Sequence, residues 1–324
     1  MQTRRTFLAS GAALLLSGRA RAADGYADAL AKAYGASVDP APALRLALRE
    51  ARKVAGQADR LLRRQGLTRG TVAERLRVLA ADDRWLYPDG DAGRATAVAD
   101  MNARLAALRP GLAAAFGDRP MPEAVVRRPA LKDEARGGYR EPPAYFVDLR
   151  TIRERPNWTL PSVAFHETVP GHALIASVTG KPPAFSEAWP IYAEQLAADL
   201  GAYAGDPLGE IGFLHWRLFR LARIVADTGL GALGWSADQA TTAMADLQGP
   251  AIAFTTLAAD VARMGTQPGV YAAQGLGALA IGRARPRRQT DWPAFHRAIL
   301  ADGATPFAML AQVARPIGAG ETGR

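Results

Sequence analysis

The 324-residue chain contains no cysteine. Disulfides, thiolate metal sites and cysteine nucleophiles are therefore excluded, and any zinc would need histidine and carboxylate ligands. Histidine is itself scarce: His166, His172, His215 and His296 are the whole supply, and two of them fall in one short stretch. Lysine is almost absent, with Lys32, Lys53, Lys132 and Lys181 the only ones among 40 basic residues. The net charge of +9 thus rests on arginine in an alanine-rich chain, which reads as compositional bias. The sequence lacks the basic stripe interleaved with aromatics that nucleic-acid binding calls for, so no nucleic-acid partner is expected. No apolar run reaches the roughly 20 residues needed to cross a bilayer. The most apolar later stretch, 213–235, carries Arg217, Arg220, Arg223 and Asp227. Stable membrane insertion is therefore not expected. The 49% apolar and 22% charged content is that of a globular chain, which argues against wholesale disorder.

The N-terminus reads as a twin-arginine signal peptide over residues 1–22. Arg4 and Arg5 precede the apolar run 9–16, and Ala20-Arg21-Ala22 supplies a small-x-small cleavage pattern. The expected mature chain starts near Ala23 and lies in the periplasm, delivered by the twin-arginine translocase, which carries folded proteins. Four of the positive charges leave with the leader.

The remainder, 23–324, is expected to be one mainly α domain with a small extended element before the motif helix. Helical periodicity covers 39–66, then 71–81 with Thr71 as cap and Glu74 three residues on, then 95–108 and a short helix after Pro110. Pro88-Asp89-Gly90 marks a turn, 121–141 a loop with short extended pieces, and 145–149 the best strand. Further helices are expected over 162–179, 187–203, 208–229, 236–256, 269–281, 290–301 and 306–313.

The chemistry gathers at His166-Glu167-Thr168-Val169-Pro170-Gly171-His172. Zinc peptidases commonly place two histidines four apart on a helix, with glutamate after the first. Here the spacing is six, about 600° of rotation, which leaves the imidazoles roughly 120° apart on a regular helix. Pro170 has no N–H for the carbonyl of His166 and its ring clashes there. Gly171 supplies conformations that other residues resist. A bulge that absorbs two residues would turn both rings to one side. The best third ligand is Glu187, 15 residues past His172 and across the Gly180-Lys181-Pro182-Pro183 turn. Glu194 lies about 700° further along the same helix, hence on nearly the same face, and is a candidate partner for a ligating histidine N–H. Asp227 is another. Such a set would hold one Zn2+ ion with an open position for water, and Glu167 would serve as general base. The alternative is a buried polar cluster in a helical bundle, with Pro170 an ordinary kink. Tyr192 is a candidate wall of the substrate cleft, with core packing as its alternative. Arg220 and Arg223 are candidate holders of a substrate carboxylate, with salt bridges between helices as their alternative. His215 and His296 lie outside the motif and read as packed residues.

The motif, together with Glu187-Ala188-Trp189, Tyr192-Ala193-Glu194, Asp227-Thr228-Gly229 and Gly234-Trp235, resembles the family known as domain of unknown function 885. Gly137-Gly138-Tyr139, Pro142-Pro143 and 145–149 fit the same pattern. The resemblance implies a helical, gluzincin-like zinc peptidase with His166, His172 and Glu187 as ligands and Glu167 as base. The chain departs from the pattern after His172, where Ala173-Leu174-Ile175 replace a further histidine and Leu-Gln. Gly231 stands where members tend to have a histidine, and Ala273-Gln274-Gly275 replaces a Ser-Tyr-Lys stretch. Members are usually longer, so an N-terminal helical region is expected to be missing. The lost histidine and tyrosine are donors suited to a developing oxyanion, and Tyr271, one helical turn before the lost tyrosine, is the candidate substitute. The expected activity is periplasmic hydrolysis of peptide or small amide bonds. A non-catalytic descendant that binds metal or peptide is the alternative.

Overall fold

The computed structural model describes residues 20–303 except 253, together with 307–310 and 312. The twin-arginine leader lies almost wholly outside the described residues. Its expected cleavage pattern falls on the first turn of helix α1 (Ala20–Tyr34). The predicted helix at 306–313 lies partly outside them, and its described part includes a 3-10 turn over Phe307–Met309.

The chain is mainly helical, as its periodicity predicts. Helix α2 (Pro40–Arg64) starts where Asp39 accepts from the Ala41 amide, 2.9 Å, and buries an apolar stripe that includes Leu44, Val54, Leu61 and Leu62. Helix α3 (Val72–Ala80) opens on the predicted capping box: Thr71 accepts from the Glu74 amide at 3.1 Å, and Glu74 accepts from the Thr71 amide at 2.7 Å. Helix α4 (Asp91–Leu108) begins four residues earlier than predicted, directly after Gly90 at φ +101°, and the short α5 (Leu112–Phe116) follows.

A three-stranded sheet comes next, built from β1 (Val125–Arg127), β2 (Tyr139–Glu141) and β3 (Ala144–Phe146) in the order β1-β3-β2. Strand β1 runs parallel to β3 and β2 antiparallel, with Arg140 opposite Tyr145. The predicted strand at 145–149 is thus one residue early and two shorter. Asn102 of α4 docks the sheet with its side-chain amide, which exchanges two 2.9 Å hydrogen bonds with the backbone of Val126.

The motif region forms α6 (Leu160–Glu167) and α7 (His172–Ile175), not one continuous helix. Helix α8 (Phe185–Asp199) returns against both. The 27-residue α9 (Pro207–Leu233) is the central rod, packed against α1, α2, α6 and α8 and against α10 (Ala237–Gln248), α11 (Leu257–Thr266) and α12 (Val270–Ala284). Helix α13 (Trp292–Ile299) covers α5. The predicted helix over 236–256 stops at Gln248, because Gly249 at φ +83° and Pro250 cannot continue it, and the separate α11 escaped the periodicity reading. Among the described residues no helix is long and apolar enough to cross a membrane.

Candidate metal centre

The six-residue spacing is accommodated by a bulge between α6 and α7. The Gly171 amide donates to the carbonyl of Phe165 at 3.1 Å, six residues back where a regular helix would reach four. The Ala173 amide donates to Thr168 at 3.0 Å, five residues back. Two residues are therefore absorbed, and the imidazoles of His166 and His172 meet with ring centroids 5.0 Å apart. Gly171 sits at φ −82°, ψ −125°, outside the helical and extended regions, and an added Cβ would lie 1.9 Å from the carbonyl oxygen of His166 and 2.5 Å from that of Phe165. Glycine here supplies the expected conformational freedom and also room. The Trp189 indole N–H secures the bulge by donating to Pro170 O at 2.8 Å.

Helix α8 brings Glu187 between the two rings. Its Oε2 is 3.4 Å from His166 Nε2 and its Oε1 3.2 Å from His172 Nε2. One donor atom from each of the three residues lies within 4.8 Å of the others, and no other such trio occurs among the described residues. Donors around one zinc at its usual bond lengths stand about 3.3–3.6 Å apart, so a slight contraction suffices. The arrangement fits a cation for a second reason. His172 Nε2 is buried and, despite its approach to Glu187, has no hydrogen bond of good geometry. A native buried polar atom without a partner calls for an explanation such as a missing ion.

Glu194, two turns along α8, is buried and its Oε1 stands 2.8 Å from His166 Nδ1, which orients that ring with Nε2 toward Glu187. Arg220 of α9 holds the same oxygen at 3.4 Å. Burial and the Arg220 charge push His166 down, but hydrogen bonds to Glu187 and Glu194 outweigh them and carry it up to about 9. His172 is lowered by burial, against the pull of the nearby Glu187 carboxylate. Glu187 is held well below the usual carboxylate range by the two histidines beside it, which overcome its burial. The metal-free trio thus keeps one proton near neutral pH, on His166. Zinc requires neutral imidazole, so its binding must expel that proton. Zinc affinity is expected to rise about tenfold per pH unit from 6.5 to 8.5, with one proton released per ion, in titrations at several pH values.

Glu167 closes α6 beside His166 and remains partly open to solvent. Its carboxylate pairs with Arg140 of β2, a residue that sequence reasoning missed. Arg140 also bears electrostatically on His172. The only signal for it was its place directly after Gly137-Gly138-Tyr139.

Other predicted site residues lie elsewhere. Arg223 is fully engaged by Asp260 of α11, with bonds of 2.7 and 2.5 Å, so it is not a free substrate contact. Tyr192 is buried in the core, with its hydroxyl 2.7 Å from His296 Nε2, and its side chain also borders a cavity beside α8. Tyr271 lies against Arg223, 4.8 Å from ring centroid to guanidinium carbon, and shares no hydrogen bond or ring contact with the trio among the described residues. Asp227 does not touch a ligating histidine. It accepts from the amides of Gly269 (2.9 Å) and Ala272 (2.8 Å), capping the start of α12, and burial raises it to about 6. Asp227→Ala should therefore cost about 1–3 kcal/mol in denaturant melts, because two buried amides lose their acceptor, while zinc affinity stays unchanged. His215 is buried, stacked on Trp158 at 6.0 Å and pushed down to about 4 by burial; like His296 it lies apart from the trio.

A family model described as a bacterial protein of unknown function (DUF885) matches residues 3–313. The chain belongs to that family. Among solved structures it is similar to a "putative lipoprotein" of Colwellia psychrerythraea, at 29% identity and a TM-score of 0.78, over 90% of this chain and 54% of the other. It is also similar in fold to a "putative lipoprotein of unknown function" of Shewanella oneidensis, at 17% identity and a TM-score of 0.70, over 91% and 59%. This DUF885 chain thus spans little more than half the length of the solved relatives it matches. No curated protein matches its sequence.

Proposed function

We propose that this DUF885 protein is a zinc-dependent hydrolase of peptide or small amide bonds, related to the gluzincins and acting in the periplasm. The observation that carries the reading is the convergence of His166, His172 and Glu187 around the unsatisfied His172 Nε2, with the carboxylate of Glu167 on the next residue of α6. Zinc bound there would polarise the scissile carbonyl and acidify a water. Glu167 takes a proton from the attacking water and returns it to the leaving amine. Glu194 keeps His166 Nε2 aimed inward, and Arg220 keeps Glu194 in place. Arg140 supplies a fixed positive donor at the mouth of the site, the role vacated by the histidine and tyrosine absent from this sequence. The leader at 1–22 and the lipoprotein names of both solved relatives support export.

A second reading, a metal- or peptide-binding protein without turnover, draws on the same ion pair, because Arg140 occupies the carboxylate that must accept a proton. Digestion of a peptide library by zinc-loaded protein, with and without chelator, tests the first reading: chelator-sensitive cleavage supports it, and intact peptides favour the second. Arg140→Ala separates the roles of that arginine. A donor to the reacting carbonyl predicts a kcat about 10- to 1000-fold lower with zinc affinity retained. A rise in kcat would mark Arg140 as a block on Glu167.

A further inference from the structure

A cavity of about 490 Å3 opens beside α8 just beyond the trio. Ile191, Gln195 and Asp199 line it, and they continue the i, i+4 row that begins at Glu187. Its first lining residue on α8, Ile191, thus stands one helical turn, about 6 Å along the axis, past Glu187. Its opposite walls carry Arg217 and Arg220 from α9, Arg283 and Arg285 from the end of α12, and Lys53 from α2. Most of these cations are matched. Glu50 pairs with Lys53 (3.0 Å) and Arg283 (3.3 Å), Asp199 pairs with Arg285, and Glu194 with Arg220 (3.4 Å). Arg217 is not. Among the described residues no carboxylate lies within ion-pair range of it and nothing hydrogen-bonds it, and its guanidinium carbon stands 5.6 Å from the Phe213 ring centroid. Burial pushes its pKa down from the usual arginine value, against the more distant charges of Asp199, Glu194 and Glu50. Its donors are left unpaired at the cavity wall, and the planar fork matches a carboxylate.

We infer that this cavity is a subsite for a carboxylate of the substrate, received by Arg217 with Arg220 beside it, so that the favoured substrates are peptides bearing an acidic side chain or a free C-terminus on that side of the scissile bond. The inference rests on the peptide-hydrolase reading for the word substrate, although the site itself does not need the metal. Arg220 lines the cavity and also holds Glu194, which holds His166, so one residue joins the subsite to the metal centre.

The test is calorimetric binding to the full chain carrying Glu167→Gln, in which turnover is suppressed. Three probes share one backbone: N-acetyl-tetra-alanine with a free C-terminus, its C-terminal amide, and the amide with one internal glutamate. At least one acidic probe should bind about tenfold tighter than the neutral amide, and which one does so identifies the carboxylate source. Arg217→Met should abolish that preference and leave zinc affinity unchanged. Gly282→Leu gives an independent variant, because Gly282 lines the cavity and a Cβ there meets only Tyr192, at 4.0 Å. It should weaken binding of the acidic probes by narrowing the cavity without disturbing the fold. Equal affinity for all three probes, or a preference that survives both substitutions, overturns the inference. So does binding of inorganic phosphate alone with both acidic probes ignored. A carboxylate preference in a chain that takes up no zinc would uphold the subsite and reject the hydrolase reading.

Discussion

Replacing Gly171 with alanine is expected to lower stability by about 3 kcal/mol and zinc affinity at least about 100-fold. Both effects have one cause. The added methyl would sit 1.9 Å from the His166 carbonyl oxygen and 2.5 Å from that of Phe165, and both are backbone atoms of the helix that carries a ligand. Neither can rotate away as a flexible side chain would. Relief requires breaking the Gly171-to-Phe165 hydrogen bond or pushing the chain outward, and the next residue is His172. A displacement of about 1 Å there takes Nε2 out of reach of an ion shared with Glu187. Gly282→Ala is the control, because its Cβ enters open space on a helix and should stabilise the chain by about 0.5–1 kcal/mol. Urea melts and zinc titration of the two variants read the contrast directly.

Glu167→Gln is expected to reduce kcat about 100- to 10,000-fold while zinc content stays at the wild-type level. Glutamine keeps the length of the side chain and can still accept from Arg140, so the geometry at the end of α6 survives. It cannot take up a proton from water. Glu167 is not one of the three donors that meet between the rings, so its neutralisation leaves the ion in place. Kinetics with a cleaved peptide, paired with metal analysis of the same preparation, measure both quantities. A binding protein would show unchanged peptide affinity and no rate to lose.

The parts of this site that could be read from sequence are those governed by local rules. The clash of a six-residue spacing with helical rotation called for two absorbed residues at Pro170-Gly171, and the i→i−6 bond from Gly171 supplies them. The seven-residue interval from Glu187 to Glu194 placed both on one side of a helix, where each reaches a different nitrogen of His166. Thr71 and Glu74 announced a helix start for the same local reason. What escaped depends on distant partners. The role of Arg223 is set by Asp260, on a helix that apolar periodicity did not reveal. Asp227 reads as a site residue through the Asp227-Thr228-Gly229 match to the family, yet its partners are backbone amides more than forty positions away. Arg140 reaches Glu167 only because three very short strands fold it back over α6, and strands of three residues leave almost no alternation to detect.

Zinc binding by the wild-type chain and by His172→Ala, followed in parallel by competition with a chromophoric chelator, tests the central claim most directly. The account predicts one tightly held ion per wild-type chain and an affinity more than about 100-fold lower in the variant, a loss greater than removal of an outer hydrogen-bond partner would cause. Equal zinc affinity in the two proteins, or no zinc uptake by either, would contradict it.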